Sequence, residues 1–172
     1  MLHSGKIIRW DDLTDAAQAP PPPPPPTEAE MAAFFAKVGG SCEQVRSATQ
    51  LDWSYTLLTA GDCKVIAHLI AAKFMPVLTN LTLSDNQIGD EGAKAIAEAL
   101  KVNPVLTELH LVFNEIGDDG AKAIAWALKV NPVLNTLNLR AGNYIGREGA
   151  KAIAEALKVN PVLTKLDLEG WL

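Results

Sequence analysis

The sequence predicts an α/β solenoid, and three observations carry that expectation. One segment recurs in register along the second half of the chain. Each copy opens on alternating leucines, and each then changes to helical spacing. Leu78 opens LTNLTLSDNQIGDEGAKAIAEALKVNPV, and Leu106 opens LTELHLVFNEIGDDGAKAIAWALKVNPV directly after it. Leu134 opens LNTLNLRAGNYIGREGAKAIAEALKVNPV, which is longer by a single residue falling within Arg140-Ala141-Gly142. Leu163 begins a partial copy, LTKLDLEGWL.

The chain divides in order into three parts. Residues 1–26 read as a flexible N-terminal segment carrying a polyproline run. Pro20 to Pro26 is seven prolines in a row, suited to an extended rod that serves as a stiff spacer. The same run is the kind of segment an SH3, WW or profilin-type partner takes into an aromatic groove. Residues 27–47 read as an N-terminal helix and connector. Thr27-Glu28-Ala29-Glu30 is a capping box, Met31, Phe34, Phe35 and Val38 make an apolar face, and Gly39-Gly40 ends the helix. That face is expected to cover the open end of the repeats.

Residues 48–172 are the repeats: 48–77, 78–105, 106–133, 134–162 and the partial 163–172. The first is a divergent capping copy, in which Cys63 to Ala67 matches Ala93 to Ala97 position by position. Within each unit, Leu81 and Leu83 point inward from a short strand while Asn80, Thr82 and Ser84 point out. Asn86, Asn114 and Asn143 follow the strands, where an amide can satisfy backbone groups freed by the turn and stack as a ladder. Ala93, Ile96, Ala97 and Leu100 form the buried helix face. Ala95, Ala99 and Val102 form a second stripe that lets helices approach. Asp90 and Asp118 occupy N-cap positions, and Arg147 in the third copy predicts a weaker helix start. Asn103-Pro104, Asn131-Pro132 and Asn160-Pro161 end the helices.

The pattern LxxLxLxxNxIGDEGAKAIAEALKVNP resembles the repeat of ribonuclease inhibitor, shared by NOD-like receptors, the GTPase-activating protein of Ran and tropomodulins. The resemblance covers residues 48–172. It implies a leucine-rich-repeat solenoid with parallel strands on a concave face and helices on a convex face. It also implies a scaffold or adaptor that binds a protein. In actin-regulating proteins such repeats accompany polyproline, which adds slightly to the binding alternative for Pro20–Pro26 while the spacer reading is kept. Acceleration of GTP hydrolysis by Ran would need a longer arc of repeats and specific loops, so no such activity is expected.

Catalysis is not expected. The chain has no GxSxG, GxGxxG, Walker-type or HExxH motif. His3, His68 and His110 are far apart. Cys63 and His68, five residues apart on one helix, face about 140° away from each other and cannot share a metal. No metal or cofactor is therefore expected. A net charge of −5 argues against nucleic acid, which needs a basic face. Cys42 and Cys63 form no disulfide framework, and no signal-type or membrane-length apolar run occurs, so a cytoplasmic location is expected without membrane contact.

The helices repeat almost letter for letter, whereas the outward strand positions vary, as a recognition face laid over a uniform scaffold would. The candidate binding residues on the concave face are Tyr55, Asp85, Glu108, His110, Val112, Phe113, Asn138 and Arg140, with His110, Val112, Phe113 and Arg140 at the centre. Trp126 takes the slot of Glu98 and Glu155 and is expected to lie over the stem of Lys122, with a convex-face contact as the alternative. The pairs Lys94/Glu98 and Lys151/Glu155 are expected along the solvent face. Leu163, Leu166 and Leu168, with Trp171 where a ladder asparagine is due, leave an edge suited to weak homo-association.

Overall fold

A computed structural model describes residues 24–169. Most of the proline run and Trp171 fall outside them, as do residues 1–19.

The chain enters through α1 (Glu28–Val38) and a short α2 (Cys42–Ser47), then alternates strand and helix. The order is β1 (Gln50–Asp52), α3 (Ala60–Ala71), β2 (Asn80–Thr82), α4 (Gly89–Val102), β3 (Glu108–His110), α5 (Asp118–Leu128), β4 (Thr136–Asn138), α6 (Arg147–Leu157) and β5 (Lys165–Asp167). The strands form one parallel sheet in sequence order. Leu51, Leu81, Leu109, Leu137 and Leu166 stand in register across it. Helices α3 to α6 pack side by side behind the sheet, giving the α/β solenoid that the period implied.

Alternation within each strand decides what is buried. Leu81, Leu83, Leu109, Leu111, Leu137 and Leu139 are fully enclosed, each contributing about 2 kcal/mol of apolar burial. From the helices come Ala93, Ile96, Ala97 and Leu100 and their equivalents Ala121, Ile124, Ala125 and Leu128. The expected second stripe is only partly realised. Ala99 is buried and Ala95 half-buried, but Val102 is exposed, as are Val130 and Val159. At the helix end the inward place goes to Asn103, which turns the backbone and leaves Val102 outside.

The N-terminal end is closed by α1. Thr27 and Glu30 form the capping box, with Glu30 N donating to Thr27 Oγ1 at 3.2 Å and Thr27 N to Glu30 Oε2 at 2.7 Å. Phe34 is buried edge-on against Trp53, ring centroids 5.2 Å apart. Lys37 pairs with Asp62 at 2.6 Å. The connector holds the second helix, α2, with its own capping box between Ser41 and Gln44.

Two asparagine ladders stitch the repeats together. Asn86 Oδ1 accepts from Leu58 N and Thr56 N, and Asn143 Oδ1 accepts from Ile116 N and Asn114 N. Their amide nitrogens donate to strand carbonyls of their own and the preceding unit. The second ladder uses the asparagine before each proline. Asn131 Oδ1 accepts from Val133 N and Leu134 N while Nδ2 donates to Leu100 O at 2.6 Å. Asn103 and Asn160 accept from the following backbone in the same way. Sequence reasoning credited only the prolines with this turn.

The helix starts differ from expectation. Asp90 and Asp118 do not cap their own helices. Asp90 Oδ1 accepts from Gly117 N at 2.7 Å and Gly120 N at 2.8 Å, at the start of α5. Asp118 Oδ1 accepts from Gly146 N at 2.8 Å and Gly149 N at 2.6 Å, at the start of α6. Each aspartate thus caps the helix one repeat ahead. The α6 helix, predicted to be weak because it carries Arg147, has its cap supplied by Asp118. The cap also explains the glycine at 149, where a Cβ would lie 2.8 Å from both Asp118 Oδ1 and Ala121 Cβ.

Helix α4 is the exception. Ala60 stands where the preceding unit would supply the aspartate, and no side chain caps α4. Gly89 turns to φ 57° and donates to Asn114 O at 2.9 Å. Asn86 N goes to Phe113 O instead of Asn114 Oδ1, which is left buried without a partner.

Candidate functional site

The outward strand positions line up as three columns. Sheet register sets Gln50, Asn80, Glu108, Thr136 and Lys165 side by side, and likewise Asp52, Thr82, His110, Asn138 and Asp167. Just past the strand ends come Ser54, Ser84, Val112, Arg140 and Glu169. Glu108 accepts from Asn80 Nδ2 at 2.8 Å, and His110 Nε2 lies 3.8 Å from the same carboxylate. These contacts hold the Glu108 side chain in place. Asn138 is partly occupied with its own turn, because its Oδ1 accepts from Arg140 N at 3.0 Å. Asp52 and Asp167 make the equivalent bond to Ser54 N and Glu169 N. Hydrogen bonds from the Ser54 hydroxyl and amide hold the Asp52 carboxyl below its ordinary range, with His110 adding a smaller pull. Arg140 reaches Glu169 at 3.4 Å, a partner outside the predicted set.

Tyr55, Asp85 and Phe113 lie not on the strands but in the loops leading into the helices. They occupy one place in successive repeats and share a left-handed backbone, with φ of 57°, 55° and 51°. Aspartate tolerates that conformation, but for a tyrosine or phenylalanine it costs about 1–2 kcal/mol. Both aromatics are nonetheless outward: Tyr55 is 76% exposed and Phe113 49%. The Phe113 ring rests partly on Gly142, in the inserted loop, where a Cβ would come within 2.7 Å of Phe113 Cα. It is therefore half support and half surface. The neighbouring Asp85 carboxylate pushes the Tyr55 phenol up from its usual range.

Sequence reasoning missed two neighbours on this loop rim. Leu57 is 68% exposed and Tyr144 72%, each at the place just before the buried Leu58 or Ile145. Gln87 and Glu115 take that place in the other repeats, so the variation was visible in the sequence. Together Tyr55, Leu57, Phe113 and Tyr144 make an aromatic-rich rim beside the polar columns.

On the convex face, the cation over the Trp126 ring is that of Lys129 and not of Lys122. Lys122 turns back to Asp119 at 3.3 Å, and it is the Lys129 ammonium that stands 5.5 Å from the indole centroid. The expected four-residue pairs are replaced by three-residue ones: Glu91–Lys94, Glu98–Lys101 and Glu155–Lys158, at 2.5–2.6 Å. Leu163, Leu166 and Leu168 are half-buried. Among the described residues, no group of three or more His, Cys, Asp or Glu could hold a metal, and no helix is long and apolar enough to cross a membrane. Cys63 is enclosed, and burial pushes its thiol up to about 12, with Asp62 adding to the shift.

Comparison with known proteins agrees with this architecture. A family model described as Leucine Rich repeat matches residues 75–97, 102–125 and 130–154. Among solved structures, the leiomodin-1 actin-binding site 2 is similar at 25% identity and a TM-score of 0.69, covering 86% of this chain and 82% of that one. The tropomodulin C-terminal domain of Caenorhabditis elegans shares the fold at 14% identity and a TM-score of 0.62, covering 83% of each chain. No curated protein matches the sequence. The repeat period, the parallel sheet in register, the asparagine ladders and the family match identify the fold as a leucine-rich-repeat solenoid of the ribonuclease-inhibitor type.

Proposed function

We propose that the chain is a non-catalytic protein-binding module whose partner is actin, engaged by the concave columns and the aromatic loop rim. The observation that carries this is the likeness over most of both chains to a leiomodin-1 domain described as an actin-binding site. The rim supports it independently. Holding Tyr55 and Phe113 outward in a left-handed backbone is a standing cost, and such strain concentrates where a surface is kept for a ligand. Tyrosine, phenylalanine and arginine also carry a large share of interface energy. Contact through His110, Val112, Phe113 and Arg140, and anchoring of a profilin-, SH3- or WW-type partner by Pro20–Pro26, are finer parts of the same proposal.

The test is co-sedimentation with filamentous actin, together with a monomer-binding titration. Binding in the micromolar range is expected. The double change Phe113→Ala, Arg140→Ala should weaken it by about 2 kcal/mol, roughly 30-fold, with the fold intact. No binding to either actin form at ~50 μM, well above a micromolar dissociation constant, would sink the partner assignment. Unchanged binding by the double variant would sink the surface.

A further inference from the structure

The groove between α5 and α6 on the convex face differs from its neighbours at one position. Where the flanking repeats carry Glu98 and Glu155, α5 carries Trp126, 58% exposed and set above a floor of Ala125 and Ala152. Lys129 and Lys151 line the same groove, and neither has a carboxylate within ion-pair distance among the described residues. Glu155, the nearby acid, is held by Lys158 at 2.5 Å, which leaves Glu148 as the lining carboxylate outside such a pair. An indole flanked by two free ammoniums suits a short acidic ligand that also offers an apolar side chain.

The chain itself contains one. Trp10-Asp11-Asp12-Leu13-Thr14-Asp15 has three carboxylates, two large apolar residues and no basic residue. Its reach can be judged from where the described chain begins. Helix α1 starts close behind Pro24 and packs against α3, with Lys37 reaching Asp62 at 2.6 Å. The described chain therefore begins on the helical side of the solenoid. The α5–α6 groove lies two to three helices further on, roughly 25 Å at 8–10 Å per packed helix. Residues 16–23 separate Asp15 from Pro24, and a chain of that length can reach roughly 25 Å at 3.1 Å per residue.

We propose that residues 10–15 dock in the α5–α6 groove of the same molecule, their aspartates against Lys129 and Lys151 and an apolar side chain against Trp126. The contact is an internal strap across the convex face. It leaves the concave columns open and does not depend on the identity of the partner bound there.

Hydrogen exchange and carbodiimide cross-linking on the full chain test this. In the wild type, amides of residues 10–15 should exchange at least tenfold slower than a free peptide of the same sequence. A zero-length cross-link should join Asp11, Asp12 or Asp15 to Lys129 or Lys151. Trp126→Glu restores the residue that the other repeats carry, so folding is preserved, and it should return exchange to the free-peptide rate. Raising salt to about 0.5 M should reduce the protection. Free-peptide exchange in the wild type overturns the proposal. Protection that survives Trp126→Glu places the segment elsewhere and also overturns it. Protection that grows with protein concentration replaces the internal strap with a contact between two copies, and equally refutes it.

Discussion

Replacing Asp118 with alanine tests the repeat-to-repeat cap directly. One carboxylate oxygen of Asp118 accepts from Gly146 N at 2.8 Å and Gly149 N at 2.6 Å. Gly146 is exposed, so water can replace the lost bond there at little cost. Gly149 is buried, so its amide loses its acceptor outright, and an unsatisfied buried donor costs about 1–3 kcal/mol. Loss of negative charge at the α6 N-terminus adds about 0.5–1 kcal/mol. The sum for Asp118→Ala is about 1.5–4 kcal/mol, or ~3–16 °C in Tm for a chain of this size. Asp118→Asn keeps the acceptor and loses the charge, so about 1 kcal/mol is expected.

Urea unfolding gives the magnitude, but location is the sharper measure. Stability in stacked repeats is close to a sum of units and interfaces, so damage stays near its source. Amide exchange should quicken at the start of α6, the next helix, while α5, which carries Asp118, changes little. Arg147→Ala should leave the α6 start as it is. Two results would refute the inter-repeat cap. One is exchange that quickens in α5 alone. The other is a stability loss for Asp118→Ala no larger than an ordinary surface substitution gives, about 0.5 kcal/mol.

Three further outcomes follow from the same contacts. Ala60→Asp should supply the carboxylate that α4 lacks, raise stability by about 1 kcal/mol and slow exchange at Gly89 and Gly92; a loss of stability would contradict the missing-cap account. Burial would raise the Asp62 carboxyl, but Lys37 and the Thr59 amide and hydroxyl outweigh it and hold the pKa below the ordinary value. The stability this lends is present above the unfolded carboxylate pKa of about 4 and is lost as pH falls through the lower folded value. Exchange in α1 should accordingly quicken in acid, and Asp62→Asn should flatten that dependence; an unaltered acid response in the variant would exclude this ion pair as its source. Finally, Cys42 is exposed and Cys63 enclosed with its thiol pushed up to about 12. Native protein should take up one equivalent of a thiol reagent and denatured protein two, and two equivalents in the native state would contradict the burial of Cys63.

What could be read from the sequence, and what could not, divides along a physical line. Leu81 and Leu83, or Ile96 and Leu100, follow periods set by the local backbone, so their spacing announces both the element and its buried face. The register of five strands then follows from the repeat length. Asp90 and Asp118 looked equally local, because an aspartate before a helix is ordinarily its own cap. Their true acceptor role joins residues 27–31 positions apart, and one repeat read alone contains no trace of it. Stacked units make the error natural, since translation by one repeat puts a similar helix start beside every aspartate. The departures carried the missing signal. Arg147 is tolerated at the start of α6 because the cap for α6 comes from Asp118, one unit earlier. Ala60 is the contrary case: the capping copy keeps its own helix, yet the helix after it must begin with a left-handed glycine. The proposed binding rim was hidden for a different reason. Spacing cannot report φ, so Tyr55 and Phe113 looked like ordinary ends of strands, and their strained outward posture became visible only with the backbone. For an array this uniform, a functional reading therefore belongs where one repeat disagrees with the next.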